Sequence, residues 1–159
     1  PGLNTTANAL LVRYFPNVEA VEPMLFSEIA EAVERGEVDA GVLIHEGRFV
    51  YERRQLELVA DLGQLWEQET GMPLPLGAIV AKRELGSGQI AAFEQLLAES
   101  VRYAMAHPAV SREFVKEHAQ ELEDEVIDKH IALFVNDFTI SLGDEGRRAV
   151  ERLTSVRVL

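Results

Sequence analysis

Among the four histidines of this 159-residue chain, His45 has the setting most suited to chemistry. It follows Val38-Asp39-Ala40-Gly41-Val42-Leu43-Ile44, a nearly continuous apolar run, too short for a helix and bounded by turn-prone residues. That pattern predicts a strand over 38–44 buried on both faces. Ligands of open α/β sheets bind beyond the carboxyl ends of strands, so a histidine there is held rigidly and still meets a ligand. Imidazole titrates near neutral pH and can accept a proton at working pH. The alternative is a loop histidine that merely ends the strand. Glu46 beside it could orient the ring, but successive residues of an extended chain point to opposite sides, so Glu46 is read as solvated.

The second candidate is Gly2-Leu3-Asn4-Thr5-Thr6-Ala7. Free N–H groups at a helix N-terminus together with two hydroxyls suit a carboxylate or phosphate, and the plain alternative is an ordinary N-cap. A phosphate loop of the Gly-Lys-Ser/Thr type is missing, and Gly86-Ser87-Gly88 lacks the strand–turn register of a nucleophile elbow. Arg48, Arg53 and Arg54 could touch an anion, although such a cluster usually forms a solvated loop. His107 and His118 fall in exposed-looking contexts, and His130 sits on an apolar helical stripe as a core histidine would. No two histidines have metal-ligand spacing and no His-Glu-x-x-His pattern occurs, so a zinc site is not expected.

These residues need elements to position them. Asn4 or Thr5 caps a first helix carrying Ala9, Leu10, Val12 and Tyr14, stopped by Pro16-Asn17. A strand is predicted over 18–24, then a helix over 27–35 with Gly36 as a left-handed C-terminal cap. After the 38–44 strand, 49–54 is ambiguous, 56–62 reads as a strand, and 63–70 as a helix carrying Trp66 and ended by Gly71. Pro73-Leu74-Pro75-Leu76-Gly77 leads into a further strand over 78–81. From Ser87 the chain turns helical, with Ile90, Phe93, Leu97 and Val101 on one face. A later stripe runs Leu122, Val126, His130, Phe134, and a last helix covers 144–153. Alternating strands and helices predict an α/β fold with a mostly parallel sheet.

The formal charge of −12 argues against nucleic acid, whose phosphates need clustered Lys and Arg. No apolar run approaches the roughly 18 residues of a membrane span, so no membrane insertion is expected. Zero cysteines exclude disulfides and thiolate chemistry and fit the cytosol or an exported protein equally. The chain opens on Pro1 without a secretory signal pattern, as a processed start or a piece of a longer protein would.

Taken together, several blocks resemble the 1,4-dihydroxy-6-naphthoate synthase family of the futalosine route to menaquinone. They are Pro1-Gly2-Leu3-Asn4-Thr5-Thr6-Ala7, residues 36–49 around Ile44-His45-Glu46, and Asp61-Leu62-Gly63 with Trp66-Glu67. Thr70-Gly71-Met72-Pro73-Leu74-Pro75-Leu76-Gly77, Val135-Asn136-Asp137-Phe138 and Leu142-Gly143-Asp144-Glu145-Gly146-Arg147 complete the set. The likeness covers nearly the whole chain and is specific in combination.

The resemblance implies a periplasmic-binding-protein-like (type II) two-domain α/β fold, here without the N-terminal part of the larger domain. Residues 1–75 would form a smaller α/β domain lining the cleft, and 76–159 a crossover strand and helices returning to the larger one. It implies a cytoplasmic lyase converting cyclic dehypoxanthine futalosine, a small carboxylate-bearing substrate, to 1,4-dihydroxy-6-naphthoate without metal or organic cofactor. His45 maps onto the family's base, and Thr5, Thr6 and the backbone of Ala7 onto ligand contacts. A non-catalytic solute-binding protein of the same fold is a competing reading. So is chorismate dehydratase, against which Ile44-His45-Glu46 speaks. Surface left for absent strands would make the isolated chain prone to self-association.

Overall fold

The structure, a computed structural model, describes residues 2–45, 47–119 and 123–155. Glu46 and Leu122, two residues singled out above, lie outside them, as does Pro1. The chain divides into two compact units, Pro1–Leu74 and Pro75–Leu159.

In the first unit Thr5 caps helix α1 (Thr6–Tyr14). Helix α2 (Ile29–Glu34) follows a turn at 26–28, and Gly36 beyond it takes a left-handed φ of 69°. Helix α3 (Gly47–Val50) runs into a 3-10 turn over Tyr51–Arg54. Helix α4 (Leu62–Thr70) starts where the Asp61 carboxylate accepts from the backbone N–H of Gly63 (2.8 Å) and Gln64 (3.2 Å). It stops at Gly71, whose φ of 64° closes the last turn. Leu10, Ile29, Ala32 and Trp66 are the buried apolar side chains of this unit.

Trp66 anchors the proline block that follows α4. Its indole N–H donates to the Pro73 carbonyl at 3.2 Å. The Thr70 hydroxyl donates to the Trp66 carbonyl (2.8 Å) and accepts from the Met72 N–H (3.1 Å). A buried indole needs such a partner for its N–H, and the carbonyl of a proline, which has no N–H to bring it into a helix, is available.

The second unit is built from α5 (Ser87–Ala106), α6 (Pro108–His118), α7 (Asp124–Phe134), α8 (Asp137–Ile140) and α9 (Gly143–Thr154). Proline at the first position of α6 starts it without wasting an N–H. Asn136 and Thr139 form a reciprocal capping box on α8. Gly146 is buried under Phe138 and Leu142, whose side chains lie 3.2 and 3.1 Å from where a Cβ would stand. Two of the sequence blocks, 135–138 and 142–147, thus read as capping and close packing.

The predicted α/β, periplasmic-binding-protein-like fold is not what forms: among the described residues there are helices and no strand. Segments 18–24, 38–44, 56–61 and 78–81 are irregular connections, and Leu62 already belongs to α4. Backbone hydrogen bonds outside the helices close turns and caps between residues three to five apart. A strand exists only where a second segment answers its N–H and C=O groups, and an apolar run does not carry that partner with it. Nor is 38–44 buried on both faces: Ala40 and Gly41 are exposed, and Val42, Leu43 and Ile44 half-buried. Farther on, Val59 and Val80 are 80% and 87% exposed, so these runs lie at the surface. No helix among the described residues is long and apolar enough to cross a membrane.

Candidate functional site

His45 sits in an exposed turn between the 38–44 segment and α3, instead of ending a strand. Its backbone is left-handed, with φ 54°. Histidine, with Asn and Asp, enters that region more readily than most side chains, yet at an energetic cost, and such outliers concentrate at functional sites. Its ring lies against Phe26, with centroids 5.1 Å apart and planes inclined at 60°. Phe26, on the turn leading into α2, was not singled out by sequence reasoning. The two rings are nineteen positions apart in the chain, so no local pattern connects them.

The Thr5–Thr6–Ala7 segment is a helix start, as the residue types predict, and its two hydroxyls have different employment. The Thr5 hydroxyl donates to the Gly2 carbonyl at 2.7 Å and accepts from the Asn8 N–H at 3.2 Å. Asn8 in turn donates to the Leu3 carbonyl, 2.9 Å. Thr5 therefore builds the cap, and a ligand would have to compete with those bonds. Thr6 and Ala7, the first two residues of α1, point backbone N–H groups out of the helix end, where the first turn has no carbonyls to receive them. The half-buried Thr6 hydroxyl is bonded to no protein group among the described residues.

An ionic clamp joins the far end of α1 to α4. The Arg13 guanidinium forms a two-point pair with the Glu69 carboxylate, Nε to Oε2 at 2.9 Å and Nη2 to Oε1. The Tyr14 hydroxyl donates to the same carboxylate at 2.8 Å. The hydrogen bond to Glu69 raises the guanidinium above its ordinary range, and burial followed by the same carboxylate raises the Tyr14 phenol. Arg13 also stands 5.9 Å from the centroid of the Trp66 ring. Both partners of the pair are about two-fifths exposed, so the clamp orients α1 more than it stabilises the unit.

Two of the three arginines raised as anion contacts, Arg48 and Arg54, have structural employment here. Arg48 pairs with Asp61 at 2.8 Å, bracing the residue that caps α4, and Arg54 pairs with Glu34 at 3.2 Å. His107 and His118 each use Nδ1 against the carbonyl four residues back (Tyr103 at 3.0 Å, Phe114 at 2.8 Å) and stack on that residue's ring at 4.3 Å. They finish α5 and α6. His130 is half-buried and leans on Phe134 at 4.5 Å. No group of three or more His, Asp or Glu among the described residues is placed to hold a metal ion.

His45 against Phe26 and the α1 N-terminus thus lie in one compact unit, each held by its own neighbours. Together they offer one titratable ring on a constrained backbone, two outward N–H groups and one hydroxyl.

Comparison with known proteins bears on what such a set serves. A sequence profile described as "Menaquinone biosynthesis" matches residues 1–157. The 1,4-dihydroxy-6-naphthoate synthase of Thermus thermophilus is 49% identical over 153 residues, 96% of this chain and 56% of that protein. The enzyme of the same name from Streptomyces coelicolor is 48% identical over 130 residues, 82% of this chain and 46% of that one. The chain spans about half the length of the curated relatives it matches. An Archaeoglobus fulgidus protein solved by X-ray crystallography superposes with a TM-score of 0.89 at 34% identity, covering 98% of this chain and 58% of that one.

Proposed function

The chain belongs to the menaquinone biosynthesis family, and from that premise we propose that it is part of a 1,4-dihydroxy-6-naphthoate synthase acting on cyclic dehypoxanthine futalosine. The observation that carries the reading is identity near one half, over nearly the whole chain, with a relative of that name. The placement of His45 supports its role as the general base. It is exposed, on a strained turn, with its ring fixed against an aromatic neighbour. Taking one proton from the substrate, His45 starts the fragmentation that releases the sugar-derived portion. The aromatic naphthoate that remains supplies the driving force, so a positioned base and an enclosing pocket suffice.

The substrate carboxylate is assigned to the start of α1, where the first-turn N–H groups of Thr6 and Ala7 leave the helix end and the Thr6 hydroxyl is not bonded to protein among the described residues. This reading separates the two threonines. Thr5→Ala is expected to lower stability by about 1 kcal/mol through loss of the cap. Thr6→Val leaves stability nearly unchanged and raises KM about tenfold, the worth of one hydrogen bond to a charged group. Urea melts and steady-state kinetics of both variants decide it; equal effects on both quantities in both variants reject the division of labour.

The enzymatic reading is tested by following naphthoate formation in the protein that carries this chain at its natural length, wild type against the His45 variant discussed below. A solute-binding protein would bind without forming product. The reading places the reaction in the cytoplasm. Self-association of the isolated chain is supported by exposed Leu58, Val59, Ile79 and Val80. Sedimentation of the isolated chain should therefore give a species larger than 17.7 kDa, and a clean monomer would contradict it.

A further inference from the structure

We propose that Phe26 is a positioning residue for the reaction, holding the His45 imidazole in the one rotamer from which it reaches the substrate proton. The inference rests on the reading of His45 as the base and adds a residue to it.

An imidazole on an exposed turn has several staggered χ1 positions open to it, and only some of them aim a ring nitrogen at a given point. General-base efficiency depends on that aim, because proton transfer needs the acceptor within hydrogen-bond reach along a narrow approach. The contact with Phe26 is tilted, 5.1 Å between centroids with planes at 60°, within the separation at which aromatic pairs attract. It bears on one side of the imidazole.

Phe26 is itself fixed. It is half-buried in a turn closed by the Glu28 N–H on the Leu25 carbonyl at 3.0 Å. That turn feeds directly into Ile29, which is 3% exposed. The segment delivering His45 is tied to the same place. Gly41 passes so close to α2 that a Cβ there would overlap the Ile29 side chain and press on Val33 Cγ2 at 3.2 Å. Gly41 and His45 are thus both referenced to residues 26–33. That arrangement fixes where the histidine backbone lies and, through Phe26, where its ring points.

The test compares Phe26→Leu, which keeps apolar bulk and removes the ring, with Phe26→Tyr, which keeps the ring, in the protein carrying this chain at its natural length. Phe26→Leu should lower kcat about tenfold with KM changed less than about twofold, and Phe26→Tyr should restore kcat. The contact is read independently from histidine-labelled NMR spectra, His45 being assigned by its absence in the Asn variant. Its ring protons should shift in Phe26→Leu as the ring current is lost, and hold in Phe26→Tyr. Unmoved resonances, or unchanged kcat in Phe26→Leu, overturn the inference and leave His45 standing as the base. Equal losses of kcat and of melting temperature in both variants overturn it as well, since the residue would then serve folding alone. Near-normal turnover of His45→Asn with moved resonances overturns instead the reading of the base.

Discussion

Replacing His45 with Asn is expected to lower kcat for naphthoate formation, the proposed reaction, by about two to four orders of magnitude while the protein stays folded. The range is that of a lost general base, about 3–5 kcal/mol of barrier at a factor of ten per 1.36 kcal/mol. Asn is the informative substitution because the backbone here is left-handed, φ 54°. Asn, like His, tolerates that region, so the turn into α3 keeps its course and only the proton acceptor is removed. Ala would mix loss of the base with backbone strain. Gly is expected to relieve the strain and raise stability by about 1 kcal/mol, with turnover equally lost. Kinetics paired with thermal melts of the Asn and Gly variants separate the two effects. Turnover of the Asn variant within about threefold of wild type would remove His45 from the role of base.

The largest expected effect on stability belongs to Trp66. Its side chain is 1% exposed, the most buried large group described, and truncation to Ala leaves a cavity costing about 3–5 kcal/mol. The Pro73 carbonyl that receives the indole N–H loses its partner at the same time. Against the roughly 5–15 kcal/mol that typically holds a whole domain, that loss takes a large fraction of the stability of this unit. Trp66→Phe, which retains most of the apolar volume and loses the hydrogen bond, should cost about 1–2 kcal/mol. Amide exchange suits the measurement because it resolves the two units. Protection should fall across α1 and α4, which pack on one another, and change little from α5 onward. Protection unchanged in α1 would mean that Trp66 does not organise this unit.

Local signals in the chain were legible, and they concern helices and their ends. The Thr5 cap, the left-handed Gly36 and Gly71, and the break at His107-Pro108 follow from single residues acting on adjacent backbone. Tyr14 and Leu10 fall in α1 as their spacing predicts, with Leu10 at 3% exposure. The helix N-terminus at Thr6 and Ala7 could be read for the same reason: its N–H groups are unanswered by construction. The blocks that carry the family likeness were legible too, and the match over residues 1–157 agrees with them.

The apolar runs misled because their meaning is not local. Val42-Leu43-Ile44 fits a buried strand in composition, yet strand character belongs to a pair of segments, and burial to whatever covers them. Arg48 reads as a solvated loop charge that could touch an anion until Asp61, thirteen residues on, receives it at 2.8 Å.

His45 shows both sides of this boundary. Its imidazole, a side chain able to accept a proton, and the family blocks around it are properties of the sequence alone. Its left-handed turn, its exposure and its ring against Phe26 were decided by tertiary structure. Side-chain chemistry is carried by the residue itself, whereas orientation depends on contacts between residues far apart in the chain, which local sequence patterns do not encode.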